Sequence, residues 1–142
     1  MRFGYISQDR KKEWEKLVKF EPTSGYLQSF FWTQFLNNLG WTTFKIGIFE
    51  KEELIGGAII GKFTYSKSVN ILYIPEGPIL PYKDKKAEEL FEGLISEIDK
   101  IANLSGANLT THLRIEPKLT HLPKYFKRFQ KAPTDQQPLR TI

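Results

Sequence analysis

Residues 70–80 read NILYIPEGPIL, and this stretch decides the fold of the 142-residue chain. Its first half is a short apolar run rich in β-branched and aromatic residues, which predicts a buried strand over residues 69–74. The Pro-Glu-Gly-Pro turn that follows ends the strand, because proline has no amide hydrogen to donate to a ladder. A polar loop, residues 81–86, then precedes a long amphipathic helix that Asp84 would cap. The stretch therefore predicts a strand–loop–helix unit.

The rest of the chain predicts an α+β domain with the element order β-α-α-β-β-β-α-β-α, in which helices flank a largely antiparallel sheet. Alternating or apolar runs predict further strands, and apolar residues at helical spacing predict further helices. The predicted strands are residues 3–6, 43–49, 54–63 and 107–115, and the predicted helices are residues 9–20, 29–39 and 121–129. Residues 136–142 predict the start of another strand, so we expect the domain to be truncated within it.

Two local patterns predict details of the packing. In the second helix, five apolar side chains recur at helical spacing and predict a face that places Trp32 in the core. They are Phe31, Trp32, Phe35, Leu36 and Leu39.

In the strand over residues 54–63, Gly56-Gly57 is compatible with a bulge, a close neighbour or a simple bend of the sheet, and we favour the bend. Asp9 and Ser29 are the predicted N-caps of the first two helices.

Composition limits the function classes. The chain has no cysteine, which excludes a disulfide framework, a thiolate nucleophile and a cysteine-based zinc site. Its apolar runs are too short to cross a bilayer and its first residues do not form a signal peptide, so we expect a cytoplasmic protein. A net charge of +5 favours encounter with anionic partners such as tRNA, nucleotide-linked substrates or a membrane surface, although it is equally consistent with ordinary solubility.

Few side chains stand out as chemical groups. His112 and His121 have no further ligands in a pattern that would bind a metal, so no metal site is predicted. Glu76 could act as a general base, but its position in the Pro-Glu-Gly-Pro turn favours a turn residue. Arg114, on a strand, could hold a phosphate or a carboxylate, and an ion pair with Glu116 or Asp99 is the stronger expectation. Residue chemistry alone therefore indicates an α+β domain without a defined reaction.

The strand–loop–helix unit resembles the place where acyl-CoA-dependent acyltransferases of the N-acetyltransferase fold carry a glycine-rich, phosphate-binding loop. Here the loop of residues 81–86 contains no glycine. Backbone amides converge on a pyrophosphate most easily where residues tolerate close approach and positive φ. We therefore expect an N-acetyltransferase-like fold that lacks the usual phosphate-binding loop for CoA.

Four segments together resemble the Fem peptidyltransferases, the FemAB/FemX-type enzymes that build peptidoglycan cross-bridges. The segments follow one another along nearly the whole chain. They are LQSFFW with LGW (residues 27–32 and 39–41), YIPEGP (residues 73–78), LRIEP (residues 113–117) and QPLRT (residues 137–141). Each segment alone is a weak signal, whereas four in register are fairly specific.

The resemblance implies that residues 1–142 are the N-terminal, N-acetyltransferase-like domain of a two-domain enzyme, whose second domain is missing here and would be supplied in cis or in trans. It implies an aminoacyltransferase that moves an amino acid from aminoacyl-tRNA to the stem-peptide amine of lipid II or of its UDP-linked precursor. It also implies no cofactor, because the donor is not CoA, and a cytoplasmic protein that works at the inner face of the membrane. The domain alone is then expected to be inactive.

One departure from the family pattern concerns the substrate site. Family members often carry a lysine on the helix after the Gln…Trp motif, whereas residues 32–38 here contain no basic side chain. Asn37 and Asn38 could hydrogen-bond a substrate there, and Arg114 is the third candidate substrate-binding residue. We assign no catalytic base. Two alternatives remain open: a CoA-dependent N-acetyltransferase, and a non-catalytic module that binds tRNA or a cell-wall precursor.

Overall fold

The structure is a computed structural model in which residues 1–66, 69–104 and 109–133 are described. This part of the chain contains three α-helices, five strands and short 3-10 turns at Gln8–Arg10, Tyr26–Gln28 and Lys124–Arg128. The elements are β1 (Arg2–Tyr5), α1 (Lys11–Phe20), α2 (Phe30–Asn38), β2 (Thr42–Glu50), β3 (Glu53–Ser66), β4 (Val69–Pro75), α3 (Ala87–Asn103) and β5 (Leu109–Glu116). The predicted strand over residues 136–142 lies outside the described residues. Among the described helices, none is both long and apolar enough to cross a membrane.

The five strands form one sheet in the order β1-β2-β3-β4-β5. Neighbouring strands are antiparallel from β1 to β4, and β5 is parallel to β4. A parallel neighbour requires a long crossover connection, and α3 supplies it between β4 and β5. The predicted α+β class with a largely antiparallel sheet is therefore confirmed.

α3 covers one face of the sheet. Its apolar stripe is buried as predicted, and Leu94, Ile98 and Ile101 pack against strand residues that are at most 2 % exposed. Those strand residues are Ile46, Ala58, Ile60, Leu72 and Ile74. Complete burial of one such aliphatic side chain contributes about 1.5–3 kcal/mol, so this layer is a main source of stability.

α1 and α2 lie on the opposite face. Trp14 of α1 is completely buried in a second cluster together with Phe49 and Ile59 of the sheet. Leu17 and Val18 pack against the same cluster. These three side chains form the face of α1 that packs on the sheet.

α2 turns a different face to the sheet from the predicted one. Its buried side chains are Phe30, Thr33 and Leu36. By contrast, Phe31, Phe35 and Leu39 are 63 %, 44 % and 59 % exposed, and Trp32 is only half-buried. Most apolar residues of this helix share one side, and that side is the more exposed one, so their spacing did not identify the face that packs on the sheet. The packing of α2 on β2 and β3 makes that selection.

Gly56 and Gly57 of β3 lie beside a close backbone neighbour, so the predicted simple bend is wrong. Gly57 has φ +142° and exchanges two backbone hydrogen bonds with Ile79, of 2.9 and 2.8 Å. A Cβ on Gly56 would lie 2.5 Å from the Ile79 carbonyl oxygen. The β2–β3 register also shifts after Ile48, which marks a bulge. The segment after β4 therefore folds back onto β3 at a place where side chains do not fit.

Two of the three predicted helix caps are wrong. α1 begins at Lys11 after a 3-10 turn that contains Asp9, and no side chain caps it. α3 begins at Ala87, and Asp84 instead accepts a hydrogen bond from Lys86 N at 2.8 Å in the turn before the helix. In both cases a tight turn precedes the helix, so the sequence pattern placed the first helical residue too early. The third cap is confirmed, because the Ser29 hydroxyl accepts a hydrogen bond from the Trp32 amide at 3.1 Å.

Candidate functional site

The Gln28 side chain bridges β3 and β4 at a place where the two strands do not hydrogen-bond to each other directly. The β3–β4 ladder starts at Gly61 opposite Tyr73, so the same register continued would pair Ile60 with Ile74 and then Ile59 with Pro75. The Gln28 side chain lies between them: its Nε2 donates to the Pro75 oxygen at 2.6 Å, and its Oε1 accepts from the Ile59 amide at 2.7 Å. Nε2 also donates to the Ile59 oxygen at 3.2 Å. Because Gln28 is completely buried, these bonds satisfy backbone groups that are removed from water.

The turn after β4 is fixed to the same segment. Glu76 has φ +49°, and its Oε2 accepts a hydrogen bond from the Leu27 amide at 3.0 Å. Gly25 lies against the Glu76 carboxyl and Gly77 against the Gln28 amide, and a Cβ on either glycine would come within 3 Å of its neighbour. Glu76 is therefore a turn residue, in agreement with the favoured interpretation. Segments 27–32 and 73–78, which both carry the Fem resemblance, are therefore joined by hydrogen bonds and close packing.

A cleft of about 340 Å³ is lined by α2, by Trp41 and by one face of β3, β4 and β5. This volume is at the lower end of the range of small-molecule sites. Most of the wall is aromatic or aliphatic, and β5 adds two basic side chains. The lining residues are Trp32, Leu36, Trp41, Phe63, Tyr65, Ile71, Tyr73, His112 and Arg114.

Strand register aligns the floor of the cleft. Two rows cross β3, β4 and β5: Phe63–Ile71–His112 and Gly61–Tyr73–Arg114. Gly61 provides the space in which Trp41 packs on the sheet, because a Cβ there would lie 2.9 Å from the Trp41 ring. The Trp41 and Phe63 rings lie 5.0 Å apart, at the distance of a favourable aromatic pair. Gly61 therefore lets Trp41 pack close to the sheet and form this end of the cleft.

Arg114 is held by an ion pair, which confirms the stronger of the two expectations for it. Its Nε and Nη2 atoms lie 2.7 and 2.5 Å from Glu116 Oε1. Tyr73 donates a hydrogen bond from its hydroxyl to the other Glu116 oxygen at 2.8 Å. The Arg114 and Glu116 side chains are only 17 % and 15 % exposed. A carboxylate therefore balances the guanidinium charge beside the cleft.

The other predicted substrate-binding residues lie outside the cleft wall. Asn37 and Asn38 are exposed at the end of α2, directly after the lining residue Leu36. The Asn37 Oδ1 atom accepts a hydrogen bond from the Thr43 hydroxyl at 3.0 Å. The structure brings Arg114 to the cleft and leaves both asparagines beyond its edge.

Sequence reasoning missed most of the aromatic wall. The spacing of apolar residues in the second helix predicts that Trp32 lies in the core, and the sequence does not identify Phe63, Tyr65 and Tyr73 as site residues. The available signal was the period-two alternation of β3 and β4, which places these rings on the face opposite the α3 layer. Strand order and the position of α2 were needed to bring the rings together.

His112 is exposed at the cleft, where its Nδ1 lies 3.1 Å from the Thr111 hydroxyl. Within residues 1–66, 69–104 and 109–133, no three histidine, aspartate or glutamate side chains cluster as metal ligands. His112 is one of the two polar side chains that β5 adds to the cleft.

Three backbone amides of the loop of residues 81–86 donate hydrogen bonds within the loop and its flanks. Tyr82 N donates to the Leu80 oxygen and Asp84 N to the Pro81 oxygen, each at 2.8 Å. Lys86 N donates to the Asp84 carboxylate, which also places a negative charge just before α3. A phosphate that binds these three amides would have to displace their hydrogen bonds and would meet the Asp84 carboxylate.

Comparison with known proteins relates this geometry to a family. The model of the FemAB family matches residues 10–133, which is most of the chain. The chain belongs to the FemAB family. The match contains three of the four segments that carry the resemblance, including the two that interlock through Gln28 and Glu76.

Solved structures show the fold of this FemAB-family chain. The crystal structure of FemX is similar with a TM-score of 0.62 and 23 % identity, over 82 % of this chain and 27 % of FemX. The chain thus spans about a quarter of the length of FemX. The apo aminoglycoside antibiotic 6′-N-acetyltransferase AAC(6′)-IG from Acinetobacter haemolyticus is similar with a TM-score of 0.51 and 12 % identity, over 100 % of this chain and 99 % of that one. The predicted N-acetyltransferase-like fold is confirmed. Comparison with curated proteins found no significant match.

Proposed function

We propose that this chain is the N-terminal domain of an aminoacyltransferase of peptidoglycan cross-bridge synthesis. The whole enzyme moves an amino acid from aminoacyl-tRNA to the stem-peptide amine of lipid II or of its UDP-linked precursor. The observation that carries the proposal is the FemAB family match over residues 10–133. In this proposal a second domain, on the same polypeptide or on a partner chain, completes the site; the 27 % share of FemX that this chain matches supports it.

The proposed reaction depends on positioning. The neutral stem-peptide amine attacks the ester carbonyl of aminoacyl-tRNA, so that a C–N bond forms and the C–O bond to the terminal ribose breaks. The amine proton passes to the departing ribose oxygen. Holding the two reactants in contact and stabilising the oxyanion are the effects that accelerate such a step. We assign no catalytic base to this domain, which alone binds without turnover.

We assign the acceptor to the cleft between α2 and the sheet. Its aromatic wall provides contact area, and Arg114, paired with Glu116, lies at its floor. Asn37 and Asn38 extend the proposed site along the exposed end of α2. The net charge of +5 supports encounter with tRNA and with the anionic inner face of the membrane, where the lipid-linked acceptor is found.

A transfer assay tests this function. The protein is purified from its own cells, so that any attached or associated domain is retained, and its intact mass is compared with 16.6 kDa. It is then incubated with a mixture of charged tRNAs and with lipid II or the UDP-linked precursor. Mass spectrometry is expected to show an acceptor heavier by one aminoacyl residue. Failure to transfer from any charged tRNA to either acceptor would refute the proposal.

A CoA-dependent N-acetyltransferase is the second candidate, since the similarity to AAC(6′)-IG extends over both chains. The occupied amides of the loop of residues 81–86 weigh against it. Saturable binding of acetyl-CoA in a calorimetric titration would favour this candidate. A non-catalytic module is the third, and it predicts binding of tRNA or precursor with no turnover even in the presence of the native partners.

A further inference from the structure

The segment that follows β5 is strongly basic. Residues 117–133 contain four lysines, one arginine and one histidine, and no aspartate or glutamate. Its lysines and arginine carry as much positive charge as the net +5 of the whole chain. All of its basic side chains are exposed: Lys118, His121, Lys124, Lys127, Arg128 and Lys131. We call residues 117–133 the basic strip.

Aromatic side chains anchor the basic strip to α3. Phe126 is only 6 % exposed, and its ring lies 4.6 Å from the ring of Phe91 on α3. The rings of Tyr125 and Phe129 lie 5.1 and 5.8 Å from the same Phe91 ring. Because these rings pack against the helix, the 3-10 turn Lys124–Arg128 is held in place while the cations between the rings face solvent. A fixed support of this kind lowers the entropy that the segment loses on binding a partner.

The basic strip begins beside the cleft. β4 and β5 are parallel and end side by side, with Pro75 opposite Glu116. Glu116 pairs with the cleft residue Arg114, and the basic strip starts at the next residue. Lys118 then donates a hydrogen bond from its Nζ to the Ser24 carbonyl oxygen at 3.3 Å, in the turn before α2. The basic strip therefore crosses the end of the sheet, from the side of the cleft to the side of α3.

The lysines of the basic strip are available to an anionic partner. Arg128 is paired, since its Nη1 lies 2.9 Å from Glu92 Oε2 on α3. In the part of the chain that the structure describes, no carboxylate forms an ion pair with any of the four lysines. Their charges therefore add to one positive potential along the strip.

A nucleic-acid backbone fits this arrangement better than a membrane. The charges follow one another along a single segment, as phosphates do along a nucleic-acid strand. A basic element that binds a bilayer combines its cations with aromatic or aliphatic side chains that enter the headgroup region. In the basic strip the aromatic rings pack against α3 instead.

We propose that the basic strip binds the phosphodiester backbone of an RNA strand, with the Lys118 end of the strip nearest to the 3′ terminus of the RNA. That this RNA is the donor tRNA rests on the proposed function. The basic strip then guides the aminoacylated 3′ end toward the cleft, beside which it begins. Since phosphate contacts carry no sequence information, different tRNAs are expected to bind the strip alike.

A salt titration of RNA binding tests the inference. The protein is expressed in its own cells, so that any attached or associated domain is retained, and the probe is deacylated tRNA, whose binding requires no transfer. Contacts of four lysines with phosphates predict a slope of about −3 for the logarithm of the binding constant against the logarithm of the salt concentration. Replacing three of the lysines together is expected to weaken binding about tenfold or more at about 50 mM salt and to make the slope shallower by about 2 to 3. The substitutions are Lys124→Gln, Lys127→Gln and Lys131→Gln.

A matched control separates the basic strip from net charge. It replaces three exposed lysines of α1 and of the β2–β3 turn, which changes the net charge by the same amount: Lys12→Gln, Lys16→Gln and Lys51→Gln. The control is expected to bind deacylated tRNA with a dissociation constant within about threefold of wild type. Equal weakening by the two triple variants would show that overall charge drives binding and would overturn the inference. Wild-type binding by the strip variant, or no binding of tRNA to the wild type at about 50 mM salt, would overturn it as well.

Crosslinking tests the direction of the RNA. A photo-crosslinking amino acid is incorporated at position 120 or at position 130, in place of the exposed residues Thr120 and Gln130. Crosslinks from position 120 are expected to lie closer to the 3′ terminus of the tRNA than those from position 130. The reverse order would refute the proposed orientation.

The outcomes separate this inference from the proposed function. Vesicles of phosphatidylglycerol and phosphatidylcholine are the competing probe. If the strip variant loses binding to the vesicles and keeps its binding to tRNA, the basic strip contacts a membrane, and the inference is wrong while the proposed function stands. Binding of tRNA through the basic strip together with a failed transfer assay would refute the proposed function and keep the inference.

Discussion

Replacing Gln28 by methionine is expected to destabilise the protein by about 4 kcal/mol, because Gln28 completes the sheet where β3 and β4 separate. Methionine has a similar size and a flexible chain, so the core volume is conserved. The change leaves the Ile59 amide and the Pro75 oxygen without the partners that now lie at 2.7 and 2.6 Å. An unsatisfied buried group costs about 1–3 kcal/mol, and two such groups give the stated value.

The size of this effect is measurable because domains of this kind have stabilities of about 5–15 kcal/mol. Urea unfolding followed by tryptophan fluorescence gives the free energy of unfolding of wild type and variant. Gln34→Met is the control, since Gln34 is an exposed glutamine on α2, and its effect is expected to stay within about 0.5 kcal/mol. A loss below about 1 kcal/mol for Gln28→Met would mean that other groups hydrogen-bond the Ile59 amide and the Pro75 oxygen. The proposed role of Gln28 as the bridge between β3 and β4 would then be wrong.

Three further predictions concern local contacts. Gly61→Ala places a Cβ 2.9 Å from the Trp41 ring, so it is expected to lower stability by about 1–3 kcal/mol and to shift the tryptophan emission, and unchanged emission would contradict the packing of Trp41 on Gly61. Ser29→Ala removes the N-cap of α2 and is expected to cost about 1 kcal/mol in urea unfolding, whereas a neutral result would show that the cap hydrogen bond is not needed. Burial raises the pKa of Tyr82 above its ordinary value of 10.0. Since the folded state then holds the proton more tightly, stability is retained below pH 10 and falls above it, by up to about 1.4 kcal/mol per pH unit. Tyr82→Phe is expected to flatten this decline relative to wild type, and equal slopes would locate the effect elsewhere.

Local sequence patterns were sufficient for the elements whose character depends on neighbours along the chain. The apolar run and the Pro-Glu-Gly-Pro turn predicted β4 and its end, and the amphipathic stripe predicted α3 and its buried face. The Ser29 cap was predictable for the same reason, because a hydroxyl reaches an amide three residues later. The ion pair of Arg114 was also predictable, since residues two apart on a strand share a face.

Contacts between distant segments decided the rest. The conformation of Gly57 is explained by its backbone hydrogen bonds to Ile79. The buried position of Gln28 is explained by its hydrogen bonds to Ile59 and Pro75, where β3 and β4 no longer pair with each other. Neither partner can be inferred from residues next to these positions. A hydrogen bond across 31 or 47 residues depends on which strands become neighbours.

The sequence by itself determined the α+β class, the strand–loop–helix unit and the segments that resemble the Fem peptidyltransferases. Only the tertiary structure decided which face of α2 is buried and where a ligand could bind. The apolar side of α2 is the more exposed one, so its own pattern did not identify the buried face. The cleft formed because Gly61 admits Trp41 while Trp32 stays half-exposed. The physical reason is that periodicity specifies how a segment folds, whereas burial depends on the surface against which that segment packs.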